Sequence, residues 1–352
     1  SFAHQLGGIA QSLQIGARFH HDEVNREHRQ RGYLMRGGRL VYDGVQRQNK
    51  VTNKGETDAV SVFISNDFYA GPATVSIGAR YEDIQGQLKN FLTSSKAEND
   101  QQEWMPSISV FYELTESVSL LAGVHKGISP SGPGATDVSA EESVNYEFGG
   151  RFRSGEIFGE VIGFQSDYSN LLGRCRVSDF GCQPGEEFSG GEVEIQGIEV
   201  VAGFERSIGS NLDVDARLAY TYTQSEFEES FLSTFSQFGI VESGDELPYL
   251  PENILSASID FSFLPYSAGL TFKHTSEMRE EPGSGSVSSG VHADKQTYFD
   301  AHFRWDISQS TFTQVVIRNI SDEREIVAHR PFGARPSLPR TLILKIEHSL
   351  GI

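Results

Sequence analysis

Hydrophobic and polar residues alternate with a period of two along much of the chain. Clear examples are 255–263 (LSASIDFSF), 212–223 (LDVDARLAYTYT) and 299–307 (FDAHFRWDI). Successive side chains of a β-strand point to opposite faces of the sheet. Each of these segments therefore predicts a strand with one apolar face and one polar face.

The same pattern, followed along the whole chain, predicts about fourteen strands and an all-β fold. The predicted strands are centred near residues 9–20, 58–69, 73–84, 104–114, 118–128, 143–153, 156–170, 188–205, 212–226, 253–263, 267–278, 296–307, 312–320 and 339–350.

Short turns and long polar loops alternate between the predicted strands. Short turns fall at 70–72, 115–117, 154–155, 207–211, 264–266 and 308–311, and long loops at 21–57, 85–102, 129–142, 171–187, 227–252, 279–295 and 321–338. A soluble sandwich gives no reason for this alternation. A transmembrane antiparallel β-barrel does, because its turns are short on the periplasmic side and its loops are long on the extracellular side.

Composition excludes two other classes of protein. The 352 residues include 29 Lys and Arg against 48 Asp and Glu, a formal charge of −19 that disfavours a nucleic-acid partner. No stretch approaches the roughly 18 to 20 consecutive apolar residues of a membrane-spanning helix. A mean hydropathy of −0.34 is compatible with a membrane barrel, since half of each strand faces a polar lumen.

Motifs for enzyme chemistry are absent from the sequence. It contains no Walker A loop, no H-E-x-x-H and no G-x-S-x-G, so we expect no enzyme activity and no catalytic residue. His20, His21, Asp22 and Glu23 have the side chains of metal ligands. Strand alternation sends His20 and Asp22 to one face and His21 and Glu23 to the other, which favours a structural role over a metal site.

Five segments, in order along the chain, resemble motifs of the TonB-dependent outer-membrane receptors. The first, 139–151 (SAEESVNYEFGGR), resembles the family run E-x-S-x-N-Y-E-x-G-x-R. The others are 191–203 (containing VEIQGIE), 247–253 (LPYLPEN), 317–322 (IRNISD) and 339–341 (PRT). Segment 19–26 (FHHDEVNR) is similar, more narrowly, to the ferric citrate receptor branch, so the chain is ferric citrate or siderophore receptor-like.

The resemblance implies a 22-stranded barrel around a plugged lumen, with residues 1–352 as its C-terminal portion and the N-terminal plug and early strands absent. It implies a Gram-negative outer-membrane receptor that takes up a ferric chelate, either ferric citrate or another siderophore complex. No resident cofactor or metal is implied. The implied partners are outer-membrane lipid and lipopolysaccharide, and the TonB–ExbB–ExbD complex through the missing N-terminal region.

Cysteines and arginines occupy the predicted extracellular loops. Cys175 and Cys182 enclose six residues, and an oxidising envelope favours a disulfide that stiffens this loop. Guanidinium groups bind carboxylates bidentately, which suits an anionic ferric chelate. We therefore predict ligand binding by Arg29, Arg31, Arg36, Arg174 and Arg176.

Other functions fit parts of the pattern. A passive 14-stranded diffusion channel fits the strand count but leaves the receptor-like motifs unexplained. A receptor for a non-iron substrate such as cobalamin fits the same motifs. A soluble β-rich binding or surface-adhesion domain is the alternative from another class, and detergent-free solubility of the folded chain would favour it.

Overall fold

The structure, a computed structural model, describes residues 2–136, 138–175, 182, 186–233, 238–287, 290–329 and 333–349. Its regular elements are the strands β1 (Phe2–Leu6), β2 (Ile9–Gln30), β3 (Tyr33–Arg36), β4 (Arg39–Tyr42), β5 (Gln48–Ala70), β6 (Ala73–Asn90), β7 (Ser95–Glu113), β8 (Val118–Ser129), β9 (Glu141–Ser154), β10 (Ile157–Ser169), β11 (Leu172–Arg174), β12 (Glu187–Ser189), β13 (Val193–Ile208), β14 (Leu212–Phe227), β15 (Phe231–Leu232), β16 (Ile240–Val241), β17 (Asn253–Phe263), β18 (Tyr266–Thr275), β19 (Met278–Arg279), β20 (His292–Ala293), β21 (Gln296–Ser308), β22 (Thr311–Arg318), β23 (Ile326–Ala328), β24 (Arg335–Pro336) and β25 (Thr341–His348).

Fifteen of these strands form one antiparallel sheet in which each strand pairs with its neighbours along the chain. The order is β1-β2-β5-β6-β7-β8-β9-β10-β13-β14-β17-β18-β21-β22-β25, so β1 and β25 are the outer strands. The remaining strands pair as five short hairpins, all within connections at the same end of the sheet. We call this end the loop end and the opposite end, with its short turns, the turn end.

Register gives the sheet one apolar face and one polar face. Cross-strand partners share a face, and Leu218 is followed across the sheet by Ala257, Phe272 and Phe299. Large side chains on this apolar face are strongly exposed, such as Phe148 at 66% and Leu342 at 70%. An apolar surface of this extent is unusual in a soluble protein and is typical of a lipid-facing barrel wall.

The polar face carries charged residues directly beside the apolar residues just named. Arg217 is followed across the sheet by Ser258, Thr271 and Asp300. The Arg217 guanidinium lies 3.2 Å from Glu205 and 3.1 Å from Asp215, so charges of both signs are paired along this face. In a barrel this face would line the lumen, where such charges remain hydrated.

All fourteen predicted strands are present in the sheet, which has one more, β1. Two predicted loops differ from the structure. Most of 21–57 continues strands β2 and β5, and 85–102 is the upper part of a hairpin whose turn is at 91–94. These strand extensions carry polar side chains on both faces, so no apolar alternation marks them.

Among the described residues, no helix is long and apolar enough to cross a membrane.

Candidate functional site

The candidate site lies at the loop end of the sheet, on its polar face. Four long strands, β2, β5, β6 and β7, extend there beyond the residues that form the apolar face. Their register places five residues on the polar face: Arg26, Gly55, Gly86, Asn99 and Gln101. Connections from β8 to β9 and from β10 to β13 fold over these residues. Side chains from both halves of the sheet therefore meet in one place.

Two arginines lie within electrostatic range of one carboxylate, Glu187, and one of them, Arg174, pairs with it. Arg174 and Glu187 are direct cross-strand partners in the β11–β12 hairpin, with Arg174 Nε 3.8 Å from Glu187 Oε1. Arg26 is partly buried on β2, and desolvation together with the positive charge of Arg174 lowers the pKa of its guanidinium, while Glu187 raises it. Arginine remains charged in proteins, so the cluster carries excess positive charge.

An inward-folded loop, residues 131–134, closes one side of the cluster. Its backbone is held by side chains from elsewhere: Gln101 Oε1 accepts from Ser131 N at 3.2 Å, and Asn99 Oδ1 accepts from Gly134 N at 2.7 Å. Glu187 Oε2 accepts from Gly132 N at 2.7 Å. Glu187 therefore contacts the inward-folded loop and Arg174 at once.

Glycines on the strands make room for this loop. A Cβ atom at Gly86 would lie 2.9 Å from Cα of Pro133, and one at Gly55 would lie 3.0 Å from its Cγ. Real Cβ atoms do not approach backbone atoms so closely, so Gly86 is needed for the inward position of the loop. Strand glycines commonly mark such close backbone approaches.

A buried aromatic cluster holds the β11–β12 hairpin in place. Phe227, Val193 and Val241 are at most 1% exposed, and Phe188, next to Glu187, packs against them. Phe188 and Phe238 have ring centroids 6.3 Å apart, and Phe227 packs edge-on against Phe238 at the same distance. Burial of aromatic side chains is the main stabilising term in such small loop clusters, so the hairpin is fixed by packing.

A disulfide joins Cys175 to Cys182 just beyond Arg174, with Sγ atoms 2.05 Å apart. Cys175 is 2% exposed and belongs to the aromatic cluster. The covalent link therefore closes the tip of the same hairpin that places Arg174 opposite Glu187.

Three of the other predicted ligand residues, Arg29, Arg31 and Arg36, lie at or beyond the end of β2. Arg29 donates to Glu27 Oε1 at 2.6 Å, and Arg31 and Arg36 are exposed beside and within the β3–β4 hairpin. Arg176 lies outside the described residues, and a ligand role for all four stays a prediction.

The predicted alternation of residues 20–23 is confirmed. His20 Nε2 lies 2.5 Å from Asp22 Oδ2 on the polar face, while His21 Nδ1 lies 2.7 Å from Asp58 Oδ1 on the opposite face. Across the part of the chain that the structure describes, no group of three or more His, Cys, Asp or Glu could hold a metal ion.

A concavity of about 530 Å³ at the loop end of β14 is lined by residues of the opposite charge. Its lining includes Glu194, Glu226, Glu252 and Glu277, and its buried Arg279 already donates to Glu246 Oε2 at 2.7 Å. Carboxylates on several sides disfavour an anion there, so the Arg26–Arg174 cluster is the better anion site.

Sequence reasoning missed Glu187, Asn99, Gln101 and the inward-folded loop, and it did not include Arg26 among the predicted ligand residues. Asn99 and Gln101 lie in a predicted loop that is a strand, so their common face could not be read. The G-P-G run at 132–134 marks a turn, but nothing local shows that it folds inward.

Comparisons with known proteins identify the fold and the family. Residues 1–320 match the family model described as "TonB dependent receptor-like, beta-barrel". Similar solved structures are the ferric citrate transporter FecA (18% identity, TM-score 0.74, covering 98% of this chain and 52% of that one) and the siderophore receptor PiuA from Acinetobacter baumannii (16%, 0.75, 98% and 54%). A third is the ferric-catecholate import receptor Fiu from E. coli K12 (14%, 0.71, 98% and 53%).

The chain spans about half the length of these solved chains. At these identities the structures establish a shared fold, whereas the family model covers most of this sequence. Strand order, the apolar outer face and the polar inner face agree with that assignment. The chain belongs to the TonB-dependent receptor-like β-barrel family.

Proposed function

We propose that this chain captures an anionic ferric chelate, such as ferric citrate, for uptake through the outer membrane. Proteins of this family are receptors of the outer membrane and not enzymes. The observation that carries the proposal is the excess of guanidinium over carboxylate at Arg26, Arg174 and Glu187, in a chain whose formal charge is −19. Charge-assisted, bidentate bonds from arginine are the strongest that a protein offers a carboxylate.

In this proposal, residues 1–352 form the C-terminal portion of a larger barrel with a plug. The described sheet is open, and with an odd number of strands its outer strands β1 and β25 run in the same direction. Antiparallel closure of such a sheet needs an odd number of further strands. Coverage of about half of each similar solved chain supports the same proposal.

The proposal also includes energy coupling and a role for four further arginines. Transport through the TonB–ExbB–ExbD complex would be driven through the N-terminal region, and this chain would supply ligand capture. Arg29, Arg31, Arg36 and Arg176 would attract the anion towards the polar face, since exposed charges accelerate encounter more than they add to affinity. Outer-leaflet lipid and lipopolysaccharide would contact the apolar face.

The proposal is tested by replacing both central arginines in the full-length gene product. We expect Arg26→Ala with Arg174→Ala to weaken ferric citrate binding by about a hundredfold, because hydrogen bonds to charged groups contribute about 1.5–3 kcal/mol each. The measurement is isothermal titration of the detergent-purified protein.

Arg206→Ala is the matched control for that experiment. Arg206 lies at the turn end of β13, where its guanidinium is 3.6 Å from the exposed Glu156. This control should bind ferric citrate like the unmodified protein. Equal affinity of the double variant and the control would remove Arg26 and Arg174 from the binding site.

A further inference from the structure

Glu187 is a buried carboxylate whose two oxygens face two different parts of the site. Its side chain is 9% exposed, with Oε2 2.7 Å from Gly132 N and Oε1 3.8 Å from Arg174 Nε. A buried carboxylate is costly unless it is paired and hydrogen-bonded. Release of Glu187 from Arg174 therefore becomes favourable only when another anion takes its place.

The pairing between Glu187 and Arg174 leaves donor capacity unused. Charge-assisted N–H···O bonds are about 2.7–2.9 Å long, whereas the nitrogen and oxygen here are 3.8 Å apart. Arg26 adds a second guanidinium within electrostatic range of the same carboxylate. A ligand carboxylate with closer, bidentate geometry would compete well for both arginines.

Displacement of Glu187 would remove a hydrogen bond that holds the inward-folded loop. Gly132 abuts the carboxylate so closely that a Cβ atom on this residue would lie 2.5 Å from Glu187 Oε1. The Gly132 N–H loses its acceptor when Glu187 moves. The neighbouring anchors, from Gln101 to Ser131 and from Asn99 to Gly134, then hold the loop without the central contact.

We propose that Glu187 is an internal placeholder for a ligand carboxylate: an anionic ligand displaces it from Arg174, and this displacement frees the loop at Gly132. The inference rests on the proposed function and adds a basis for selectivity. A ligand with one carboxylate can do no more than replace Glu187. A chelate with several carboxylates can also satisfy the second guanidinium, so the site selects polycarboxylates.

The first test compares Glu187→Gln with Glu192→Gln in the full-length protein, using ferric citrate as the probe. Glutamine keeps an acceptor for Gly132 N but removes the competing charge, so we expect Glu187→Gln to bind about tenfold more tightly. Glu192 is exposed and lies five residues farther along the chain, and Glu192→Gln makes the same change in net charge. This control should stay within about twofold of the unmodified protein.

The outcomes separate this inference from the proposed function. Ferric citrate binding by the unmodified protein, with equal or weaker binding by Glu187→Gln, would overturn the placeholder and leave anion capture standing. Absence of ferric citrate binding by both proteins would overturn both. A gain of equal size in the Glu192 variant would show a general charge effect and would also overturn the placeholder.

The second test follows the loop itself. Hydrogen exchange of the Gly132 amide should accelerate about tenfold when ferric citrate binds, because the amide loses its carboxylate acceptor. Unchanged or slower exchange at Gly132 in the bound protein would contradict the release of the loop.

Discussion

Arg26 and Arg174 carry two positive charges that one carboxylate, Glu187, neutralises only in part. One exposed arginine alone would contribute little to ligand binding, because water competes for its charge. Partial burial of Arg26 limits the competition from water, and the packed β11–β12 hairpin fixes the position of Arg174, whose side chain is 44% exposed. The chemistry of the site therefore depends on the ratio and position of three residues.

Several carboxylates lie close together at the loop ends of β10, β13 and β14. Burial and the negative charges of Glu192, Glu194, Asp167 and Glu226 raise the pKa of the Glu228 carboxyl. A raised folded-state pKa in an acid means that ionisation opposes folding, so stability is lost as pH rises through that pKa and is recovered below it.

We therefore expect Glu228→Gln to raise the thermal midpoint of unfolding at pH 7 and to leave it unchanged at about pH 2.5, well below the pKa of an unfolded glutamate, where the carboxyl is protonated in both states. The matched control is Glu229→Gln, one residue farther along the same loop. A Glu228 variant that is less stable than the control at pH 7 would contradict the prediction.

At the scale of elements, the inward-folded loop depends on glycine at a strand position. Gly86→Ala places a Cβ atom 2.9 Å from Pro133 Cα, and we expect it to expel the loop from the polar face. The amides of Ser131, Gly132 and Gly134 should then exchange about tenfold faster with solvent.

Gly163→Ala is the control, since its added Cβ would lie 3.7 Å from the nearest atom, Phe148 O, an ordinary contact. Hydrogen exchange by mass spectrometry reads both variants. Equal protection of residues 131–134 in the two variants would show that the loop keeps its position without glycine at residue 86.

The β11–β12 hairpin gives a second prediction at this scale. Cys175 and Cys182 are the two cysteines of the chain, so a reductant acts on one bond. Reduction should weaken ferric citrate binding several-fold, because a looser hairpin must be ordered when the ligand binds. Titration with and without reductant measures the effect, with Cys175→Ser/Cys182→Ser as the reductant-insensitive control. Identical affinity of the reduced and oxidised protein would contradict this role.

Much of the sheet could be predicted from local pattern, whereas the site could not. Strand β17 (Asn253–Phe263) follows directly from alternation because one of its faces contacts lipid and the other water. The extensions of β2 and β7 have water on both faces, so their pattern carries no period of two. Arg26, Gly132 and Glu187 are far apart in sequence, and their proximity depends on how the connections fold over the polar face.

At the scale of the whole molecule, one face of the sheet meets lipid and the other meets water, and the loop end gathers the connections that bear the site. In the proposed function, this arrangement separates insertion in the membrane from ligand capture. The apolar face fixes the protein in the outer membrane, and the loops can vary to suit a ligand without disturbing the wall. The acidic overall charge would repel anions, whereas the Arg26–Arg174 cluster at the loop end would attract them.

Uptake of radioactive iron supplied as ferric citrate tests the central claim most directly. Cells lacking the native gene would carry either the full-length gene or its Arg26→Ala/Arg174→Ala version, with equal amounts of receptor in the outer membrane. We expect saturable uptake that needs an energised inner membrane, and its loss in the double variant. Equal uptake by both strains, or uptake that rises linearly with concentration and ignores de-energisation, would contradict anion capture at this site.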